Sequence, residues 1–196
     1  EAGVLCLGAA SGEDRWRYRS AASIKNSVVV HDSGACAVAA VHGEVHLLDA
    51  DGQQRWSVQL PGYPELFVYT APLITESAVH IVEKGLCAAL NLADGELIWS
   101  RSMDPRDAGE TIIRRGVSGR DVPSFTGFRQ FRHLLAGFVP GRGLVGLHRD
   151  SGEIEWELPL EGGKQAFALP ALTGDLLVSG GGPGELAVVE AVSGAV

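Results

Sequence analysis

Hydrophobic positions along this chain of 196 residues fall in short runs closed by glycine turns, and one phrase of that kind is used five times. Counting back from Gly12, Gly52, Gly95, Gly152 and Gly194, the residues five and seven earlier are apolar in every copy: Leu7 and Leu5, Leu47 and Val45, Leu90 and Ala88, Leu147 and Val145, Val189 and Ala187. A spacing of two puts both side chains of a pair on one face of a strand. The Ser-Gly or Asp-Gly pair that follows predicts a tight turn, because glycine accepts the positive φ that hairpin turns require. Four residues after each of the first four glycines stands a tryptophan: Trp16, Trp56, Trp99 and Trp156. The pattern places it on the returning strand, where its ring can bury against a neighbouring unit.

The glycines recur at intervals of 40, 43, 57 and 42 residues, the length of a four-stranded propeller blade. The predicted fold class is therefore all-β. Residues 1–196 are read as one β-propeller segment, an open arc of about four to five blades cut from a larger ring. Residues 1–20 form the end of a first blade, 21–59, 60–102 and 103–159 three complete blades, and 160–196 an incomplete one. Strands are expected at 27–31, 35–41, 44–49 and 55–60 in the second blade, and at 67–71, 78–82, 86–92 and 97–101 in the third. The fourth resumes at 128–132 and 133–139. The chain starts with Glu1 inside one copy and stops at Val196, just past Gly194 and short of a fifth tryptophan position, so both ends are expected to be cuts. Unpaired edges would then favour aggregation or oligomers.

A net charge of −8 disfavours non-specific binding to nucleic acid or to an anionic membrane. No run approaches the roughly 18 apolar residues that a membrane-spanning helix needs, so direct membrane insertion is not expected. Cys6, Cys36 and Cys87 form no Cys-x-x-Cys pair and read as small hydrophobes in strands. His42 and His46 are four apart, but on a turn and a strand, so they do not share a helical face as a zinc pair does. The glycine-rich stretch at 179–184 is followed by no Lys-Ser/Thr and reads as a turn.

The long interval leaves about fifteen residues beyond a blade length, most of them between 102 and 125. That stretch has the composition of turns. Seven of the thirteen arginines lie between 101 and 132. A long loop on a rigid β scaffold is where binding residues tend to be placed. Arg114, Arg115, Arg120, Arg129 and Arg132 are accordingly the candidate partner-binding residues.

The phrase Leu-x-x-x-x-Gly-x-x-x-Trp, as in the stretches ending at Trp99 and Trp156, resembles the tryptophan-docking repeat of the quinoprotein-like (PQQ-type) β-propellers. The resemblance covers essentially the whole chain. It implies that Trp16, Trp56, Trp99 and Trp156 sit on outer strands and pack against the next blade, a structural and not a catalytic role. It also implies one of several functions. One branch of that family is pyrroloquinoline-quinone dehydrogenases with bound Ca²⁺. Others are non-enzymatic scaffolds, among them lipoproteins of outer-membrane-protein assembly, and extracytoplasmic sensor domains of bacterial kinases. No adjacent cysteine pair is present, and the two asparagines, Asn26 and Asn91, have no acid cluster beside them to ligate calcium. The reading is a non-enzymatic scaffold without cofactor, binding a protein partner through its loop face in the bacterial cell envelope. The alternatives are a fragment of a dehydrogenase dependent on PQQ and calcium, and a kinase sensor domain. Oligomeric state is left open.

Overall fold

The computed structural model describes residues 3–60, 70–83, 86–103, 128–139, 142–159, 170–180 and 186–196, and among them it consists of strands and turns without a helix. The first sheet pairs β1 (Gly3–Leu7) with β2 (Asp14–Arg19). The second runs in chain order through β3 (Val29–Val30), β4 (Cys36–Ala39), β5 (Glu44–Leu48) and β6 (Gln54–Gln59). The third comprises β7 (Leu73–Ile74), β8 (Ala78–Glu83), β9 (Leu86–Asn91) and β10 (Leu97–Ser102). The fourth is β11 (Phe128–Phe131), β12 (Leu134–Val139), β13 (Gly143–His148) and β14 (Ile154–Leu158). The fifth is β15 (Ala171–Thr173), β16 (Leu176–Gly180) and β17 (Leu186–Glu190). Each is a meander of sequential strands, and every assigned register is antiparallel.

One expected strand is corrected, and another falls mostly on 67–69, outside the described residues. Among the described residues the first strand of the third sheet is β7 at Leu73–Ile74, with Leu73 opposite His80 and Ile74 opposite Val79. It follows Pro72, which has no backbone N–H to give a ladder. The strand expected at 27–31 shrinks to two residues, while Ile24 makes a separate bridge to Ala40. In the second sheet His42 and Gly43 turn β4 into β5 with φ of 75° and 79°. Two consecutive positive φ values match the twist of the flanking strands, and Ala40 N donates to Glu44 O at 2.7 Å to close that turn.

The chain divides into two compact units, one of Glu1–His80 with Leu90–Leu97, the other of Ile81–Ala89 with Ile98–Val196. In the first, Val4, Cys36, Val38 and Leu48 are buried together with Trp16, Tyr18 and Ile24 against them. In the second, Ala136, Phe138, Leu144, Leu177, Val189 and Ala191 form a core edged by Phe131, Trp156 and Leu158. The central strands β4, β9, β12 and β13 are buried almost throughout. They are covered on both faces, which explains why their sequences are near-continuous apolar runs instead of alternating ones.

Candidate functional site

The feature repeated along the chain is a tryptophan seated on the turn of the following sheet. Trp16 Nε1 donates to Ala50 O at 2.8 Å, Trp56 to Leu92 O at 3.0 Å, Trp99 to Arg149 O at 3.0 Å and Trp156 to Ala191 O at 3.2 Å. Each ring lies flat on the turn glycine of that sheet. A Cβ on Gly52 would fall 2.5 Å from Trp16 Cδ2, and one on Gly152 2.5 Å from Trp99 Cε3; Gly95 and Gly194 meet Trp56 and Trp156 in the same way. Those glycines have φ between 69° and 79°. Glycine is therefore required twice over, for the left-handed backbone and for the absent side chain. The indole N–H also satisfies a turn carbonyl that the hairpin leaves open.

Register decides which side chains accompany each ring. Cys6 lies opposite Trp16, Gly146 opposite Trp156 and Leu47 opposite Trp56, with a bulge one residue before each tryptophan. In the first and fourth hairpins the turn glycine N–H bonds back four residues, Gly12 to Gly8 and Gly152 to His148. In the second it bonds back only three, Gly52 to Asp49. One residue fewer inverts the strand relative to its tryptophan. Leu5 with Leu7, and Val145 with Leu147, thus face away from their sheet's own tryptophan, whereas Val45 and Leu47 share a face with Trp56. The apolar pairs that look identical in sequence serve opposite faces in the second copy.

A polar cluster that the sequence did not signal joins β2 to β5 and β6. His46, 3 % exposed, has Nδ1 3.1 Å from the Tyr18 hydroxyl, which donates to Gln54 Oε1 at 2.5 Å. Its Nε2 stands 3.6 Å from Glu44, whose carboxylate accepts the Ser57 hydroxyl. Burial, and then the Glu44 charge, push the Tyr18 phenol up from its ordinary value. The residues are far apart in sequence and only the sheet pairing assembles them. The three cysteines are free thiols, Cys36 and Cys87 buried. Burial drives Cys87 up to about 12 against a lowering pull from Arg101, and Cys36 is raised by burial, Cys6 and Asp49.

Of the candidate arginines, Arg114, Arg115 and Arg120 lie outside the described residues. Arg129 Nε donates to Pro170 O at 2.9 Å. Arg132 lies 3.3 Å from Asp175 and stacks on Phe131 at 5.0 Å. Both therefore reach from β11 or its turn towards residues around the fifth sheet. For calcium and a quinone, the described residues supply no converging donor set: Asp49, Asn91 and Asp94 cap backbone N–H groups of their own turns, and the Asn26 amide donates to Ala39 O. No three His, Cys, Asp or Glu side chains gather among the described residues. They do not fit that cofactor pair, and no chemical step is assigned to them.

Comparison with known proteins follows the same line. The whole chain, residues 1–196, matches the family described as outer membrane protein assembly factor BamB. A relative of that name from Burkholderia pseudomallei (strain K96243) is 28 % identical over 155 residues, covering 79 % of this chain and 36 % of the relative. BamB from Moraxella catarrhalis superposes with a TM-score of 0.72 at 19 % identity, over 97 % of this chain and 56 % of that one. A quinohemoprotein alcohol dehydrogenase, ADHIIG from Pseudomonas putida HK5, gives 0.71 at 18 % identity, over 98 % of this chain and 38 % of the enzyme. At such identities the two structures show a shared fold alone, and the chain spans between about a third and about half the length of these proteins. The chain is an all-β protein of propeller-type blades riveted by tryptophans, and it belongs to the family of outer membrane protein assembly factor BamB.

Proposed function

We propose that this chain is part of a non-enzymatic scaffold in outer-membrane protein assembly, acting in the bacterial cell envelope by binding a protein partner through its loop face. The observation that carries the reading is the family match along all of residues 1–196. The chemistry of the described residues supports it: the conspicuous aromatic and glycine positions are occupied in holding sheets together, and the buried titratable groups are enclosed in packing. No helix among the described residues is long and apolar enough to cross a membrane. The arginine-bearing stretch 101–132 is the candidate contact, with Arg114, Arg115 and Arg120 at its centre. Arg129 and Arg132, engaged with Pro170 and Asp175, contribute by holding its C-terminal flank.

The test is restoration of function in a bacterial strain lacking its own member of the family. The full reading frame should return folded outer-membrane β-barrel proteins to normal levels. Replacing Arg114, Arg115 and Arg120 together by Ala should weaken that restoration without lowering the melting temperature. Failure of the unaltered protein to restore them overturns the assembly role; restoration by the triple variant at the wild-type level removes the arginine stretch from it. Saturable, calcium-dependent pyrroloquinoline quinone binding would instead establish the dehydrogenase reading.

A further inference from the structure

The second to fifth sheets each receive, on the face beside the turn glycine, the ring of the sheet before. On the receiving face of the second sheet stands a histidine. The residue preceding the tryptophan's partner in register is Leu5 in the first sheet and Val145 in the fourth, but His46 in the second. Its imidazole is buried, on a strand position opposite Val38 of β4 and Ser57 of β6. The ring is tilted against that of Tyr18 on β2, with 5.7 Å between centroids. The cluster joins two sheets that the chain itself supplies.

The hydrogen bonds fix where the protons are. Tyr18 gives its one hydroxyl hydrogen to Gln54 Oε1. The phenol oxygen can then only accept from His46, so the hydrogen between it and Nδ1, 3.1 Å away, belongs to the imidazole. A neutral imidazole with a hydrogen on Nδ1 has a bare Nε2. That atom is buried without a hydrogen-bond partner, 3.6 Å from a carboxylate oxygen of Glu44, itself an acceptor. Two buried acceptors facing each other are unfavourable. A second hydrogen, on Nε2, turns the same pair into a charged ring against a charged carboxylate.

We propose that His46 is a proton-operated tie between the first and second sheets. With a hydrogen on both ring nitrogens it joins Tyr18 of β2 to Glu44 of β5; giving up either hydrogen to water breaks one of the two contacts. Loss from Nε2 leaves two acceptors face to face. Loss from Nδ1 makes the phenol turn its hydrogen from Gln54 to the ring, and Gln54 must then rotate its amide to offer an N–H instead. Imidazole is the side chain that exchanges such a proton between about pH 5 and 8. The titratable groups facing it are Tyr18 and Glu44. From β6 come the uncharged Gln54 and Ser57, the serine donating to the same carboxylate, and from β4 the apolar Val38. Burial, then the Glu44 charge, push the Tyr18 phenol up, so it keeps its hydrogen while the ring exchanges one. The tie requires nothing of the assembly role.

Long-range proton–nitrogen NMR on the full chain, labelled at histidine nitrogen, reads the ring directly. His46 is identified by the signals that His46→Gln loses or, should that variant fail to fold, by its through-space contact with the Tyr18 ring. At about pH 6 both nitrogens should carry hydrogen, and at about pH 8.5 only one. Urea denaturation supplies the second reading. The stability gap between wild type and the near-isosteric Glu44→Gln should widen as pH falls from about 8 to about 6, because the folded chain then holds a proton that the unfolded chain releases more readily. Tyr18→Phe, which removes the other acceptor, should widen it in the same direction. A ring with a single hydrogen at the lower pH, a ring with two at the higher, or gaps that do not change with pH would each overturn the proposal.

Discussion

The first and fourth sheets carry the same phrase and meet opposite fates. Leu5, Leu7 and Gly12 stand open, while Val145, Leu147 and Gly152 are enclosed with Trp99 lying on the glycine. The hairpins match in detail: both bond the glycine N–H back four residues, both have a bulge before the tryptophan, and both glycines have φ of 71°. Local structure is therefore fully specified by local sequence, yet burial is not. A repeat unit cannot hide its receiving face by itself; the neighbour must supply the cover.

The largest expected consequence concerns the leucines. Leu147→Ala removes buried methyls and leaves a cavity, at a cost of about 2–5 kcal/mol. Leu7→Ala at the half-open face should cost less than about 1 kcal/mol. Urea denaturation of the two variants measures the difference, and equal costs would mean that the first sheet is covered in solution. Next comes the same substitution at two glycines of identical φ. Gly12→Ala should incur only the left-handed strain, about 1–2 kcal/mol. Gly152→Ala adds a methyl 2.5 Å from the Trp99 ring, a further 1–3 kcal/mol or so of overpacking. Because strain cancels in the comparison, the excess at Gly152 isolates ring docking, and no excess would break the account of the rivet.

The smallest effect is a pH slope. Cys87 is pushed from 9.0 to about 12 by burial, so the folded chain keeps the thiol neutral while the unfolded chain ionises it. That contribution to stability is complete below pH 9 and is lost as pH rises towards 12. Cys87→Ala should flatten this part of the stability curve. A thiolate-selective reagent at pH 8 should modify Cys87 about a thousandfold more slowly than an unperturbed thiol, with half-buried Cys6 the first to react. Equal rates at both cysteines would place Cys87 outside the core.

Much of this was legible beforehand, for a physical reason. Strand alternation and positive-φ glycine turns are local constraints, written within a dozen residues, and a repeat multiplies the signal. The blade length followed from the glycine intervals, and strand positions followed wherever hydrophobic runs were uninterrupted. A departure has a local cause too: Arg132, with φ of 54°, ends β11 one residue early. The His46–Tyr18–Gln54 cluster was not legible, since its members come from different strands of two sheets and occupy positions that vary from one copy of the phrase to the next.

Sequence alone determined the all-β architecture, the unit length and where each hairpin turns, since these depend on backbone geometry and period. Only the tertiary structure decided which face each apolar pair serves, because a turn shorter by one residue at Gly52 inverts the strand without altering its pattern. It also decided which faces are left bare, because burial belongs to a pair of sheets, and no single sheet's residues record whether its neighbour is present.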